Sequence, residues 1–199
     1  QAEEKYRSIV ENAISGIFQS TPDGRFISAN QALARIFGYD SPEELMEQRR
    51  NIEFEHYVDP ARRAEFKRLL DENGIVKNFE LQAYRKDGST IWTTENCRAV
   101  RDQTGGVMYY EGIVDDITVD KKLEETRQLL SSIVESSSDG IVSFTVDGKV
   151  LSWNAAAEKL FGYSAEEVQG HDISLFLSSE TSRESLPIFK VVQTGQPVV

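Results

Sequence analysis

The sequence predicts an α+β fold, an antiparallel sheet with helices on one face, present in two copies joined by a helical linker. Three observations carry this prediction. Slid by 124 positions, residues 8–39 overlie residues 132–163 without a gap, and about half the pairs are identical. In each copy two short apolar runs flank an Asp-Gly pair, Asp23-Gly24 and then Asp147-Gly148, which is the mark of a hairpin. In the first copy a stretch of helical periodicity follows, and then three more β-rich runs. A repeat this long exceeds the ~20–50 residues of solenoid units, so it marks a duplicated domain.

The elements follow in order. "GIFQST" and "RFISAN" are the hairpin strands, and Gly24 supplies the positive φ of the turn. "NQALARIF" places Leu33, Ile36 and Phe37 on one helical face, and Gly38 ends that helix. Ser41, Pro42 and Glu44 then open another helix with a capping box, which Ser164 and Glu167 repeat in the second copy. "DPARRAEFKRLLDENG" is a longer helix opened by Asp59-Pro60, closed by Gly74, with Ala61, Phe66, Leu69 and Leu70 on its apolar face. "KNFELQAYRKDG", "STIWTTENCRAVRDQTGG" and "VMYYEGIVDDIT" supply the last three strands. The second copy runs through an equivalent long helix, residues 178–195, and stops at "QPVV" where its third strand should begin. The expected organisation is therefore a complete domain over 1–118, a linker helix over 119–136 and the N-terminal part of a second domain over 130–199.

The net charge of −11 argues against a nucleic-acid partner, because phosphate binding is driven by clustered Lys and Arg. No apolar run approaches the ~20 residues of a membrane span. The opening "QAEEKYR" does not resemble a signal peptide. A single cysteine, Cys97, makes no internal disulfide, so a cytoplasmic setting is expected.

The hairpin with "DGR", the Asn-x-Ala-x-x-x-Ile-Phe-Gly-Tyr helix, "YVDPARR", "RKDGSTIW" and the closing "GIVDDIT" together resemble the PAS/PAC sensor module. The resemblance covers residues 6–118 as a whole copy and roughly 130–199 as a truncated one. It implies a five-stranded sheet cupping a small-molecule pocket. It also implies that Asp116, Ile117 and Thr118, matching the Asp-Ile-Thr triad of that family, pass a signal to the helix that follows. In that helix Val119, Leu123, Thr126, Leu130 and Ile133 alternate by four and three, as in a coiled-coil seam. A homodimer through such flanking helices is expected, with Leu123 and Leu130 as transmitting positions. The resemblance further implies an output domain in the same polypeptide of a bacterial two-component system, a histidine kinase or a diguanylate cyclase.

Strand alternation splits the fourth strand into a Trp92/Thr94/Asn96 face and an Ile91/Thr93/Glu95/Cys97 face. Trp92 and Asn96, with Phe37, Phe66, Leu70, Phe79 and Leu81, are the expected pocket lining, an apolar wall with one hydrogen-bonding group. A solid core built from the same residues is the alternative. Asn96-Cys97-Arg98 echoes the flavin-binding LOV subclass, but it lies in the wrong element, so Cys97 reads as an ordinary strand cysteine. His56 and His171 lie outside the helix that carries the haem ligand in haem-binding relatives, and both read as solvated or hydrogen-bonded loop histidines. Neither flavin nor haem is expected, a small organic ligand stays open, and no metal site is read. No His-Glu-x-x-His, Gly-x-Ser-x-Gly or phosphate-binding loop is present, so no catalytic residue is expected. Two functions stand: a sensory module, or a ligand-free dimerisation scaffold. Without its last strands the second copy should leave Ile141, Leu151 and Phe161 poorly covered. Hydrogen exchange should therefore be faster in the second copy than in the first, and equal protection would refute that.

Overall fold

The structure is a computed structural model that describes residues 2–176. The chain divides into two compact units between Leu123 and Glu124. The long helix expected of the second copy over 178–195, and the "QPVV" stretch where its third strand should begin, lie outside the described residues.

The first unit begins with α1 (Ala2–Glu11) and the hairpin β1 (Gly16–Ser20) and β2 (Phe26–Ala29). Four helices follow: α2 (Gln31–Ile36), α3 (Pro42–Gln48), α4 (Ile52–Glu55) and α5 (Pro60–Asn73). The chain then runs through β3 (Ile75–Tyr84), β4 (Thr90–Arg101) and β5 (Val107–Asp116) into α6 (Thr118–Ser136). All pairings in the five-stranded sheet are antiparallel, in the order β2-β1-β5-β4-β3. The last strand thus lies beside the first, and α2 and α5 pack on the inner face of the sheet.

Local chemistry explains most boundaries. Asp59 caps α5 by accepting the Ala61 N–H at 2.9 Å, Pro60 fills its first turn, and Gly74 ends it with φ 71°. Gly38 takes φ 78° just after α2, and Gly162 takes 79° at the matching place in the second copy, which a side chain would oppose. Ser164 and Glu167 form a reciprocal capping box. In the first copy Ser41 caps Glu44 at 3.2 Å, but the Glu44 carboxylate reaches the Asp40 N–H, one residue upstream. The extra residue in this turn moves the donating N–H back by one position.

The core of the first unit sits between sheet and helices, around Leu33, Phe37, Leu45, Phe66, Leu70, Leu81 and Val114. The alternation of β4 is resolved against expectation. Ile91, Thr93, Glu95 and Cys97 are buried, whereas Trp92 and Asn96 lie on the outer face and are only partly covered. Opposite Phe18, Gly112 has no room for a side chain: a Cβ would stand 2.8 Å from the Asn96 carbonyl and 2.9 Å from the Phe18 ring.

The described part of the second unit contains the hairpin β6 (Val142–Phe144) and β7 (Val150–Trp153), then α7 (Ala155–Phe161), α8 (Ala165–Val168) and a 3-10 turn, Ile173–Leu175. Trp153, Val150, Ala157, Val168 and Ile173 form its buried cluster.

One side chain recurs in both units with the same bonds. Asn30 Oδ1 accepts from the Ile17 N–H and the Leu33 N–H, each at 2.9 Å, while its Nδ2 donates to the Val10 and Ser15 carbonyls at 2.9 and 3.0 Å. Asn154 does likewise with Ile141, Ala157, Val134 and Asp139, at 2.8–3.0 Å. Both are buried, at 3% and 1% exposure. Each therefore ties the end of the preceding helix to the first strand and to the next helix. Asn30→Ala should destabilise the first unit by about 2–4 kcal/mol, from a lost cap and stranded buried partners. Asn30→Asp, equal in size but unable to donate to two carbonyls, should also destabilise it. Urea denaturation of the three proteins measures both effects.

Candidate functional site

Inside the first unit β1, β4 and β5 face α2, α4 and α5 across a cavity. Its apolar walls include Phe18, Leu33, Phe37, Phe66 and Val114, and its polar side holds Ser20, His56, Tyr57, Arg63, Glu95 and Cys97. The space among these side chains is tight: a water-sized sphere can be centred in only about 20 Å³ of it.

A buried polar chain runs along this wall. Its centre is His56, which follows α4 and is strapped to β3 through its carbonyl, an acceptor for the Tyr84 N–H at 2.9 Å. Arg49 Nη1 lies 2.8 Å from His56 Nδ1, and His56 Nε2 lies 3.3 Å from Glu95 Oε1. A guanidinium only donates, so Nδ1 accepts, and Nε2 carries the proton that it gives to Glu95. His56 is thereby assigned as the neutral Nε2–H tautomer. Burial depresses its pKa below the ordinary 6.5, against the opposing pull of Glu95. Arg49 also donates to the Tyr84 carbonyl at 2.6 Å and lies 4.9 Å from the Phe37 ring centre.

Arg63 follows a different logic. It projects from α5 on the face shared with Phe66 and Leu70 and is only 4% exposed. Its guanidinium sits between the rings of Tyr57 and Phe66, 5.5 and 5.7 Å from their centres, and its Nε and Nη2 have no hydrogen-bond partner. Cys97 is buried, and burial pushes its thiol up to about 12, which leaves it protonated and a weak nucleophile.

Of the expected lining, Phe37 and Phe66 wall the cavity. Leu70, Phe79 and Leu81 are buried in the surrounding core without lining it. Trp92 and Asn96 do not reach it. Asn96 Oδ1 accepts the Asn78 N–H at 3.0 Å and so steadies a bulge in β3, where Asn78 has φ 51°. Trp92 serves the junction with α6 and carries the Lys121 ammonium 5.3 Å above its ring centre. His56, read as a solvated or hydrogen-bonded loop histidine, lies in the turn after α4, is hydrogen-bonded and is buried at 2% exposure. Sequence reasoning missed Arg63 and Glu95 because a charged side chain reads as solvated. The spacing of Arg63 to Phe66 and Leu70 was the available signal.

The Asp116-Ile117-Thr118 corner is tightly bonded. Asp116 accepts the Thr118 N–H at 2.9 Å and Arg85 Nη2 at 2.8 Å. The Trp92 N–H donates to Thr118 Oγ1 at 3.0 Å, and the Ile117 N–H donates to the Trp92 carbonyl at 2.9 Å. Farther along α6, Leu123 and Leu130 are exposed. Among the described residues no group of His, Cys, Asp and Glu could hold a metal ion, and no helix is long and apolar enough to cross a membrane.

The depressed pKa of His56 fixes the sign of a pH effect. Below 6.5 the unfolded chain binds a proton that the folded core resists, so stability is full above that pH and falls on acidification. Urea midpoints of the wild type should decline as pH drops from about 6.5 toward 5, before most carboxylates titrate. His56→Gln should flatten that slope.

Residues 14–119 match the family model described as a PAS domain, and residues 128–198 match one described as a PAS fold. The sensor histidine kinase TmoS of Ectopseudomonas mendocina is 29% identical over 141 residues, which is 68% of this chain and 14% of that protein. Sporulation kinase E of Bacillus subtilis is 25% identical over 191 residues, 90% of this chain and 24% of the kinase. The chain thus spans less than a quarter of the length of these relatives. Among solved structures, an RNA-binding light-oxygen-voltage receptor superposes with a TM-score of 0.54 at 24% identity, over 65% of this chain and 37% of that one, a likeness of fold alone. The matched models span both copies of the repeat, and the antiparallel sheet with its helices on one face agrees with them: this chain belongs to the PAS family and carries two PAS domains in succession.

Proposed function

We propose that the chain is the sensory part of a signal-transduction protein, in which a small ligand in the first cavity shifts β4 and so resets the first turn of α6. One observation carries this reading. The backbone of Trp92 on β4 is bonded to Ile117 and Thr118 at the start of α6, while Glu95 on the same strand faces the cavity. A displacement felt at Glu95 has a short covalent path to that joint. The ligand changes output only by as much as its affinity differs between two arrangements of the joint. The output domain follows in the same polypeptide and is of the kinase kind that the relatives' names describe, a sensor histidine kinase in TmoS and a sporulation kinase in the other.

A second reading, a scaffold that pairs two copies, has its own support. Val119, Leu123, Leu130 and Ile133 are all exposed along α6, a stripe that a second copy of the helix would cover. The two readings separate in native mass spectrometry of freshly purified protein. A retained small molecule favours the sensor, and an apo dimer favours the scaffold.

The joint itself is testable. Thr118→Val removes the acceptor of the Trp92 N–H and keeps the shape, so Trp92 amide exchange should rise about fivefold, the worth of one hydrogen bond of roughly 1 kcal/mol. Asp116→Ala should loosen the same turn. In the full-length protein both variants should blunt the response to the cue, and an unchanged response in both counts against the path.

A further inference from the structure

We infer that the first cavity takes a short-chain monocarboxylate, such as acetate or propionate, bound through the open edge of the Arg63 guanidinium. This rests on the sensory reading above and names the chemistry of its ligand.

Nε and Nη2 form one edge of a guanidinium, the edge that takes both oxygens of a carboxylate in parallel hydrogen bonds. In Arg63 both nitrogens are buried and unpartnered, although the residue is only 4% exposed and lines the cavity. Buried charge is normally paired, and the charges around this cavity do not balance. Two buried guanidiniums, Arg49 and Arg63, face one buried carboxyl, Glu95. His56 adds no negative charge and engages Glu95 at 3.3 Å. Arg49 donates to His56 and to the Tyr84 carbonyl and leaves only its Nε without a partner, whereas Arg63 leaves both nitrogens of one edge, so Arg63 is the less matched cation. A single anion would complete the set.

The surroundings set the size and the rest of the shape. Beyond the guanidinium the walls are apolar, with Phe18, Leu33 and Val114 among them, which suits a short alkyl tail. The free space excludes anything large. Glu95 on the same wall repels an anion placed beside it, so the carboxylate is directed to the Arg63 end. A dicarboxylate would bring a second charge toward Glu95 or into the apolar walls, and is disfavoured.

Titration of the wild-type chain with sodium propionate, followed by NMR, tests this without a mutation. The Arg63 Nε–H resonance should shift and saturate together with the amides of Glu95 and Cys97. Propionamide, the uncharged isostere, should bind at least tenfold more weakly. Arg63→Lys keeps the charge but not the fork and should lose at least tenfold in propionate affinity; Arg63→Met should lose binding. Chemical-shift dispersion of the free variants reports whether they fold. Equal binding of propionamide and propionate would overturn the carboxylate and leave a ligand-reading cavity standing. If neither probe, nor n-propanol as a neutral control, perturbs cavity residues, both the carboxylate and the cavity-sensing mechanism fall.

Discussion

Asn30 uses all the hydrogen-bonding capacity of its carboxamide inside the protein, and its partners belong to α1, the loop before β1, β1 itself and α2. A buried amide of this kind is either fully satisfied or costly. Satisfaction requires those backbone segments to converge on one point within hydrogen-bonding distance. The hairpin, the leading helix and the central helix are therefore set against one another before any apolar contact is considered. The sheet closes on this frame, because β1 is the strand that β5 must pair with. Once β5 is placed, β4 and β3 follow by ordinary antiparallel pairing. The second copy keeps the same frame at Asn154.

The interior that this frame encloses is unusual in carrying charge. Arg49, Arg63, His56 and Glu95 are all less than 5% exposed. Apolar residues of similar volume would often hold such a core together as well or better. The ionic groups therefore make a weak case for stability and a stronger one for a site that recognises polarity. The direction of the His56 proton follows from Arg49 alone, so one buried cation sets the hydrogen-bond sense of the whole chain of groups through to β4.

Much of this was legible in the residues. The Asp-Gly turns, the caps at Ser41, Asp59 and Ser164, and the stops at Gly38, Gly74 and Gly162 are local chemistry, and local chemistry is written in adjacent letters. Which face of β4 turns inward was not. Alternation separates Trp92 from Glu95 but does not say which is inside, and hydropathy favours the tryptophan. The deciding contacts are non-local: Trp92 is claimed by Thr118 and Lys121 of α6, and Asn96 by the bulge at Asn78. The short helix α4 escaped for another reason. It makes a single turn before His56, too short to show a period, yet it delivers the histidine to the core.

The crowding at Gly112 has a wider consequence. Its missing side chain is what lets the Phe18 ring come close to β5, and that ring is part of the cavity wall. The gauge of the chamber is thus controlled from a backbone position that touches no occupant. A methyl group there would press on both the Phe18 ring and the Asn96 carbonyl of β4, so a lineage could reshape its sensor from this position only by shifting an aromatic wall and the neighbouring strand together. Retuning of that kind would leave no trace among the residues usually inspected for specificity.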